Sequence, residues 1–202
     1  MKKPLIMDKR EVLKILKGCD AIREGHFLLS SGRHSQFYIQ CALLFRYPEI
    51  TERLVKELIK NFVVAELALP KEDIDLVIGP ATGAIIFSFE LARLLKKRGI
   101  FAEREEGEMK LRRGFEIRKG ERVLIVEDVI TTGDSTNKVI ELVRREGGIP
   151  VGVAAIVERS KEPIDFGLKK KVLLPFPLDD FSPEECPLCK KGLPLIKPGG
   201  RR

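Results

Sequence analysis

The chain has 202 residues, 44% of them hydrophobic and 33% charged, with a formal net charge of +7 and four cysteines. That length buries a full core without disulfide staples; no apolar run reaches the roughly 18 residues of a membrane span, and the charged start MKKPLIMDKREVLK lacks a signal peptide's apolar region, so a cytoplasmic protein without a membrane partner is expected. The basic clusters, Lys96 to Arg98, Arg112 and Arg113, Lys169 to Lys171 and the tail from Lys190 to Arg202, have no interleaved aromatics for stacking bases, which argues against nucleic acid and for solvated faces.

In chain order, Asp8 to Cys19 reads as a short helix through Val12, Ile15 and Leu16. Phe27 to Leu29 and Phe37 to Ile39 flank the turn SSGRHS and read as a hairpin. After Pro48, ITERLVKELIKNFVVAELALP is helical in period and stops at Pro70. Asp75 to Ile78 is a strand, Gly79 to Gly83 a loop, and Ala84 to Lys97 a helix. Ile100 to Arg104 begins a strand, and a charged segment runs on to Arg118. Val123 to Val126, the helix NKVIELVRREGG, and the apolar strands Pro150 to Val157 and Lys171 to Phe176 complete the pattern. Strand and helix alternate without repeat or linker, which implies an α/β fold with one mostly parallel twisted sheet flanked by helices. One domain, 1–202, is expected, with a core of about 46–176 and a hood of about 1–45 joined by the tail, about 177–202.

The run VLIVEDVITTGDST, Val123 to Thr136, carries the most chemistry. Four apolar residues form a strand buried on both faces, and Glu127 and Asp128 follow at its C-terminal end, where open α/β sheets place ligands. Thr131, Thr132 and Gly133 make a tight turn whose N–H groups can converge on an anion at a helix N-terminus. Two carboxylates beside a phosphate repel it unless vicinal hydroxyls or a divalent cation intervene. A ribose 5-phosphate supplies the hydroxyls. Taken alone, the acidic pair also reads as a strand end with an acidic helix cap.

This run resembles the motif of the type I phosphoribosyltransferases: four apolar residues, two acidic, two variable, then T-[TA]-G-x-[ST]. The stretch EGHFLLSSGRHSQFYIQ, Glu24 to Gln40, resembles the N-terminal hairpin of the orotate phosphoribosyltransferase family, and CPLCKKGLPLIKPG resembles a subgroup found in thermophilic and other bacteria. The low content of Asn and Gln, two of each, points the same way. The resemblance implies the type I fold and transfer of the phosphoribosyl group from 5-phosphoribosyl 1-diphosphate to orotate, a step of UMP synthesis, in a magnesium-dependent homodimer.

Carried over by position, the diphosphate sugar would meet Glu127, Asp128, Val129, Ile130, Thr131, Thr132, Gly133, Asp134 and Ser135. Pro80, Ala81, Thr82 and Gly83 would form the pyrophosphate loop, with Gly83 where the enterobacterial form has lysine. The segment Glu103 to Gly114 resembles the mobile loop that closes over pyrophosphate from the neighbouring subunit; Arg104 matches its arginine, Glu108 stands at its lysine and Lys110 at its histidine, so Lys110, Arg112 and Arg113 are left to supply cations. A solvated charged hairpin is the plainer reading of the same segment. Phe37 and Tyr38 would pack on the pyrimidine, Thr131 would touch both cradle and base, Ser30 replaces a lysine, and Arg159 would fork onto the orotate carboxylate. No direct protein ligand is implied for magnesium, with Asp128 reaching it through water.

Asp134 sits where the family has Gly or Thr, and it is expected to point outward or cap the helix. Cys19 and Cys41 read as inert core residues. Cys186 and Cys189 form half of a tetrahedral zinc site, a redox pair or a plain turn in the tail; the chain has no second pair, so a metal would need a symmetry mate or distant ligands. His26 and His34 read as structural or exposed. A purine or other base phosphoribosyltransferase, and a noncatalytic nucleic-acid-binding regulator on the same fold, remain alternatives.

Overall fold

The computed structural model describes residues 7–64 and 73–198. The approach to Pro70, the first six residues and the last four lie outside the described residues.

The first helix, α1 (Lys9–Gly18), is capped by Asp8, whose side chain accepts from Arg10 N, and buries Val12 and Leu16. Strands β1 (Ile22–Leu28) and β2 (His34–Ile39) form an antiparallel hairpin with a bulge between Glu24 and Phe27. A short 3-10 helix, Cys41–Arg46, leads into α2 (Pro48–Val64). Then come β3 (Leu76–Pro80), α3 (Ile85–Leu95), β4 (Arg98–Glu105), β5 (Glu108–Lys110), β6 (Arg122–Ile130) and α4 (Asp134–Arg145). The chain continues through β7 (Ile149–Glu158), β8 (Lys169–Pro175), the two-residue β9 (Asp180–Phe181) and α5 (Pro187–Lys190).

Six strands form the main sheet in the order β5-β4-β3-β6-β7-β8. All neighbours are parallel except β4 and β5. Every residue of β3, and Val123 to Val126 of β6, is buried, as a strand covered on both faces requires. Alternate residues feed two cores: Leu124 and Val126 meet Leu54, Leu58, Phe87 and Leu91, whereas Val123 and Ile125 meet Val139, Leu142 and Val143 of α4. Thus α1, α2 and α3 cover one face and α4 the other.

A second sheet has the order β1-β2-β9. The tail adds to it beyond β9. Ile196 bridges to Phe27, its N–H donating to His26 O at 2.8 Å while its carbonyl accepts from Leu28 N at 2.9 Å. At the hairpin turn, Arg33 holds β9 through Asp180 Oδ1 at 2.7 Å and the Asp180 carbonyl at 2.9 Å.

Two elements lie outside the sequence expectation. The 3-10 helix and β9 carry no periodic signal of their own. The segment 103–114, read as a mobile loop or as a solvated charged hairpin, is largely a hairpin: Glu103 pairs with Lys110, Arg104 with Met109 and Glu105 with Glu108 across β4 and β5. Among the described residues, no helix is long and apolar enough to cross a membrane.

Candidate active site

Strand β6 runs on past Val126 to Ile130 and then turns into α4 through Thr131, Thr132 and Gly133. The turn encloses a cavity of about 90 Å³ lined by Glu127, Val129, Ile130 and every residue from Thr131 to Thr136. Gly133 is required there twice. Its φ is +79°, and a Cβ would stand 3.0 Å from the Phe166 ring and 3.1 Å from Ile164. The expected cradle residues therefore come together, apart from Asp128, which sits beside the neighbouring loop.

Glu127 is buried and accepts from the Thr136 hydroxyl at 3.3 Å. Burial, reinforced by the adjacent Asp128 charge, pushes its carboxyl up to about 8, and burial raises Asp128 as well. Two carboxyls that resist ionising together want hydroxyl donors or a cation. Opposite them lies the loop Pro80 to Gly83, which contains a cis peptide between Ala81 and Thr82. A Cβ on Gly83 would lie 2.8 Å from Asp128 Oδ1, so no side chain of any length fits there without moving the acidic pair.

Asp134 is exposed on the first turn of α4, paired with Lys138 at 3.0 Å and Arg104 at 3.3 Å. These two cations hold its carboxyl below the usual range, Lys138 more than Arg104. Gly133, not Asp134, occupies the capping position. Arg104 also donates to Ser135 Oγ at 3.2 Å, which sets one arginine at the mouth of the cradle from within the same chain. The other hairpin cations are taken: Lys110 pairs with Glu105 at 2.7 Å, Arg112 with Glu105, and Arg113 with Glu103 at 3.0 Å.

A larger cavity, about 620 Å³, lies between the hood and the sheet, lined by Leu28 to Ser31, Arg33, Tyr38, Thr131, Thr132, Arg159, Asp180, Lys197 and Pro198. Arg159 follows β7, its N–H donating to Ile130 O at 2.9 Å, and its guanidinium makes no hydrogen bond or ion pair among the described residues. Burial lowers its pKa, partly offset by Asp180. Tyr38 lines the cavity, with the Arg23 guanidinium 5.2 Å from its ring centre. Phe37 corrects the expectation of an aromatic pair. Adjacent residues of a strand face opposite ways, and Phe37 turns to the core, 5.3 Å from Phe176 centre to centre. His26 and His34 are buried and face Cys186 and Cys189 rather than the cavity.

Sequence reading missed the support beneath both cavities. Buried Glu158, at the end of β7, pairs with Lys170 at 2.6 Å and accepts from Ile164 N at 3.0 Å, while Lys170 also donates to Ile164 O at 2.6 Å. That clamp places Ile164 and Phe166 under Gly133. Arg33, Asp180 and Lys197 were missed as well, because their approach to Arg159 depends on how the tail folds back.

The Phosphoribosyl transferase domain family matches residues 48–173. The chain is 52% identical over 196 residues to the orotate phosphoribosyltransferase of Caldanaerobacter subterraneus subsp. tengcongensis, covering 97% of this chain and 100% of that one. The chain belongs to the orotate phosphoribosyltransferase family. The Thermotoga maritima orotate phosphoribosyltransferase is 48% identical over 190 residues, 94% of this chain and 98% of its own. Among solved structures, the orotate phosphoribosyltransferase of Aeropyrum pernix superposes with a TM-score of 0.66 at 27% identity, over 81% of this chain and 92% of that chain. An adenine phosphoribosyltransferase from Rhodothermus marinus, 23% identical with a TM-score of 0.59 over 82% of this chain and 98% of its own, shares the fold. The mostly parallel sheet and its flanking helices thus make the type I phosphoribosyltransferase fold.

Proposed function

We propose that this chain transfers the 5-phosphoribosyl group of 5-phosphoribosyl 1-diphosphate to orotate, releasing diphosphate, and that the two cavities are its two half-sites. The observation that carries the residue assignment is their common wall: Thr131 and Thr132 line both the phosphate cradle and the cavity of Arg159. A base held there has its ring nitrogen facing the sugar whose phosphate the cradle holds. The half-buried guanidinium of Arg159, without a hydrogen-bond or ion-pair partner among the described residues, suits the orotate carboxylate, because an arginine fork binds a carboxylate at two points and leaves uracil, which has none, at a disadvantage.

Breaking the anomeric bond builds positive charge on the ribose, so the protein's part is positioning and charge stabilisation rather than covalent attack. The N–H groups from Thr131 to Ser135 hold the 5-phosphate at the start of α4. Glu127 and Asp128 accept the ribose hydroxyls, which relieves their mutual repulsion. The loop Pro80 to Gly83 receives the diphosphate beside them through backbone groups, and Arg104 closes the cradle mouth. The acidic pair, with no lysine or arginine bonded to it among the described residues, suits a hard divalent cation, and Asp128 would be the residue to hold magnesium, through water. Magnesium, when bound, would offset charge on the leaving diphosphate.

A base panel tests the reading. With the diphosphate sugar and magnesium, orotate turns over while uracil, adenine and xanthine do not; adenine or xanthine turnover would assign the site to another base, and no turnover with any base would favour a noncatalytic binder. Arg159→Gln should raise the KM for orotate by about 100-fold and leave that for the diphosphate sugar within about twofold. The homodimer belongs to the same proposal, and sedimentation of an active preparation as a monomer would contradict it.

A further inference from the structure

The hood carries a second constellation that catalysis does not use. His26 and His34 come from β1 and β2, Cys186 and Cys189 from the C-P-L-C turn at α5, and one ligand atom from each lies within 4.8 Å of all the others. His26, His34 and Cys186 are buried, Cys189 is exposed, and both cysteines are free thiols. Bonds of about 2.0–2.1 Å to nitrogen and 2.3 Å to sulfur imply tetrahedral edges of about 3.3 Å between nitrogens and about 3.6 Å between nitrogen and sulfur. Four of the six observed edges lie close to these: His26 Nε2 to His34 Nδ1 is 3.0 Å, Cys186 Sγ to His26 Nε2 3.5 Å, and Cys189 Sγ to His26 Nε2 and His34 Nδ1 3.7 and 3.3 Å, while the other two stay within 4.8 Å.

The tautomer of His26 agrees as well. Its Nδ1 lies 2.9 Å from the Leu193 carbonyl, which can only accept, so Nδ1 carries the proton and the Nε2 lone pair points into the cluster. A backbone carbonyl on the far nitrogen is the usual way a metal-bound imidazole is oriented. We propose that His26 Nε2, His34 Nδ1, Cys186 Sγ and Cys189 Sγ form a closed, structural Cys2His2 zinc site that staples the C-terminal tail to the N-terminal hairpin. Two thiolates and two imidazoles in a tetrahedron select zinc over magnesium or calcium, which take oxygen ligands. A dithiol redox pair would explain the cysteines but leave two buried histidines aimed at them without a purpose.

The staple bears on the base cavity. Four residues beyond the Leu193 contact, Lys197 and Pro198 form part of the wall that faces Arg159, after Ile196 has paired with β1. Zinc would fix that wall. This consequence rests on the proposed function, whereas the metal site itself does not.

The test uses the full chain purified without an affinity tag or chelator. Elemental analysis should find about one zinc per chain, Cys189→Ser and His34→Ala should each lose it, and cobalt in its place should show tetrahedral d–d bands with thiolate charge transfer. In the unaltered protein, Cys186 and Cys189 should resist alkylation until a strong chelator is added, a readout that does not depend on any variant folding. Chelation should also raise the KM for orotate more than that for the diphosphate sugar. Zinc well below one per chain after incubation with zinc and dialysis, alkylation at the same rate with and without zinc, or a Cys186–Cys189 disulfide in the active protein would overturn the site. If zinc is stoichiometric and the base panel shows no orotate turnover, the staple stands and the functional reading falls.

Discussion

Glu127 holds a proton that an exposed glutamate would have lost. Its carboxyl is raised from 4.5 to about 8, so between those values the folded chain binds more protons than the unfolded one, and stability must fall as pH rises through that window. Glu127→Gln keeps the contact with Thr136 and cannot ionise, so thermal melts of this variant should be flatter with pH and higher at alkaline pH, while turnover drops; a wild-type melting temperature that rises from pH 5 to 8 would contradict the assignment. Asp134 is the opposite case: its carboxylate is exposed and already neutralised by Lys138 and Arg104. Asp134→Gly therefore releases two cations beside the cradle, and the KM for the diphosphate sugar should stay level or fall. A large increase would show that Asp134 organises the cradle.

Among the elements, the loop Pro80 to Gly83 and the acidic strand end are locked together by the absence of a side chain. Gly83→Ala places a methyl group 2.8 Å from Asp128 Oδ1. Turnover should fall on the order of tenfold or more, since small misplacements of reacting groups are costly, with little change in the melting temperature; unaltered kinetics would mean that Asp128 moves freely. The cradle was legible in sequence because strand, acidic pair, turn and helix are contiguous and each has a local cause: a β-branched run, a glycine at positive φ, a helix N-terminus. The hairpin of β4 and β5 was less so. Its charges read first as a mobile loop and only second as a solvated hairpin, and the choice rests on partners such as Arg113 with Glu103 that only the fold brings together. Phe37 and Tyr38 show where local reading fell short: strand alternation required them to part, and the family comparison kept them together.

At the scale of the molecule, the hairpin of β1 and β2 meets the tail that carries β9 and α5. No sequence spacing reveals this, because His26 and Cys186 are 160 positions apart and β9 is two residues long; only tertiary contact defines them. Lys197 brings a positive charge from the tail to the base cavity, so Lys197→Ala should raise the KM for orotate several-fold without altering that for the diphosphate sugar, and equal effects on both would place the tail elsewhere. The clamp of Glu158 and Lys170 has a different reach. The loop it pins begins with Arg159 and ends by supporting Gly133, so one buried ion pair underlies both binding surfaces. Whatever order the first substrate imposes on that loop is inherited by the second, and thermodynamic linkage makes the gift mutual: the factor by which the sugar tightens the base is the factor by which the base tightens the sugar.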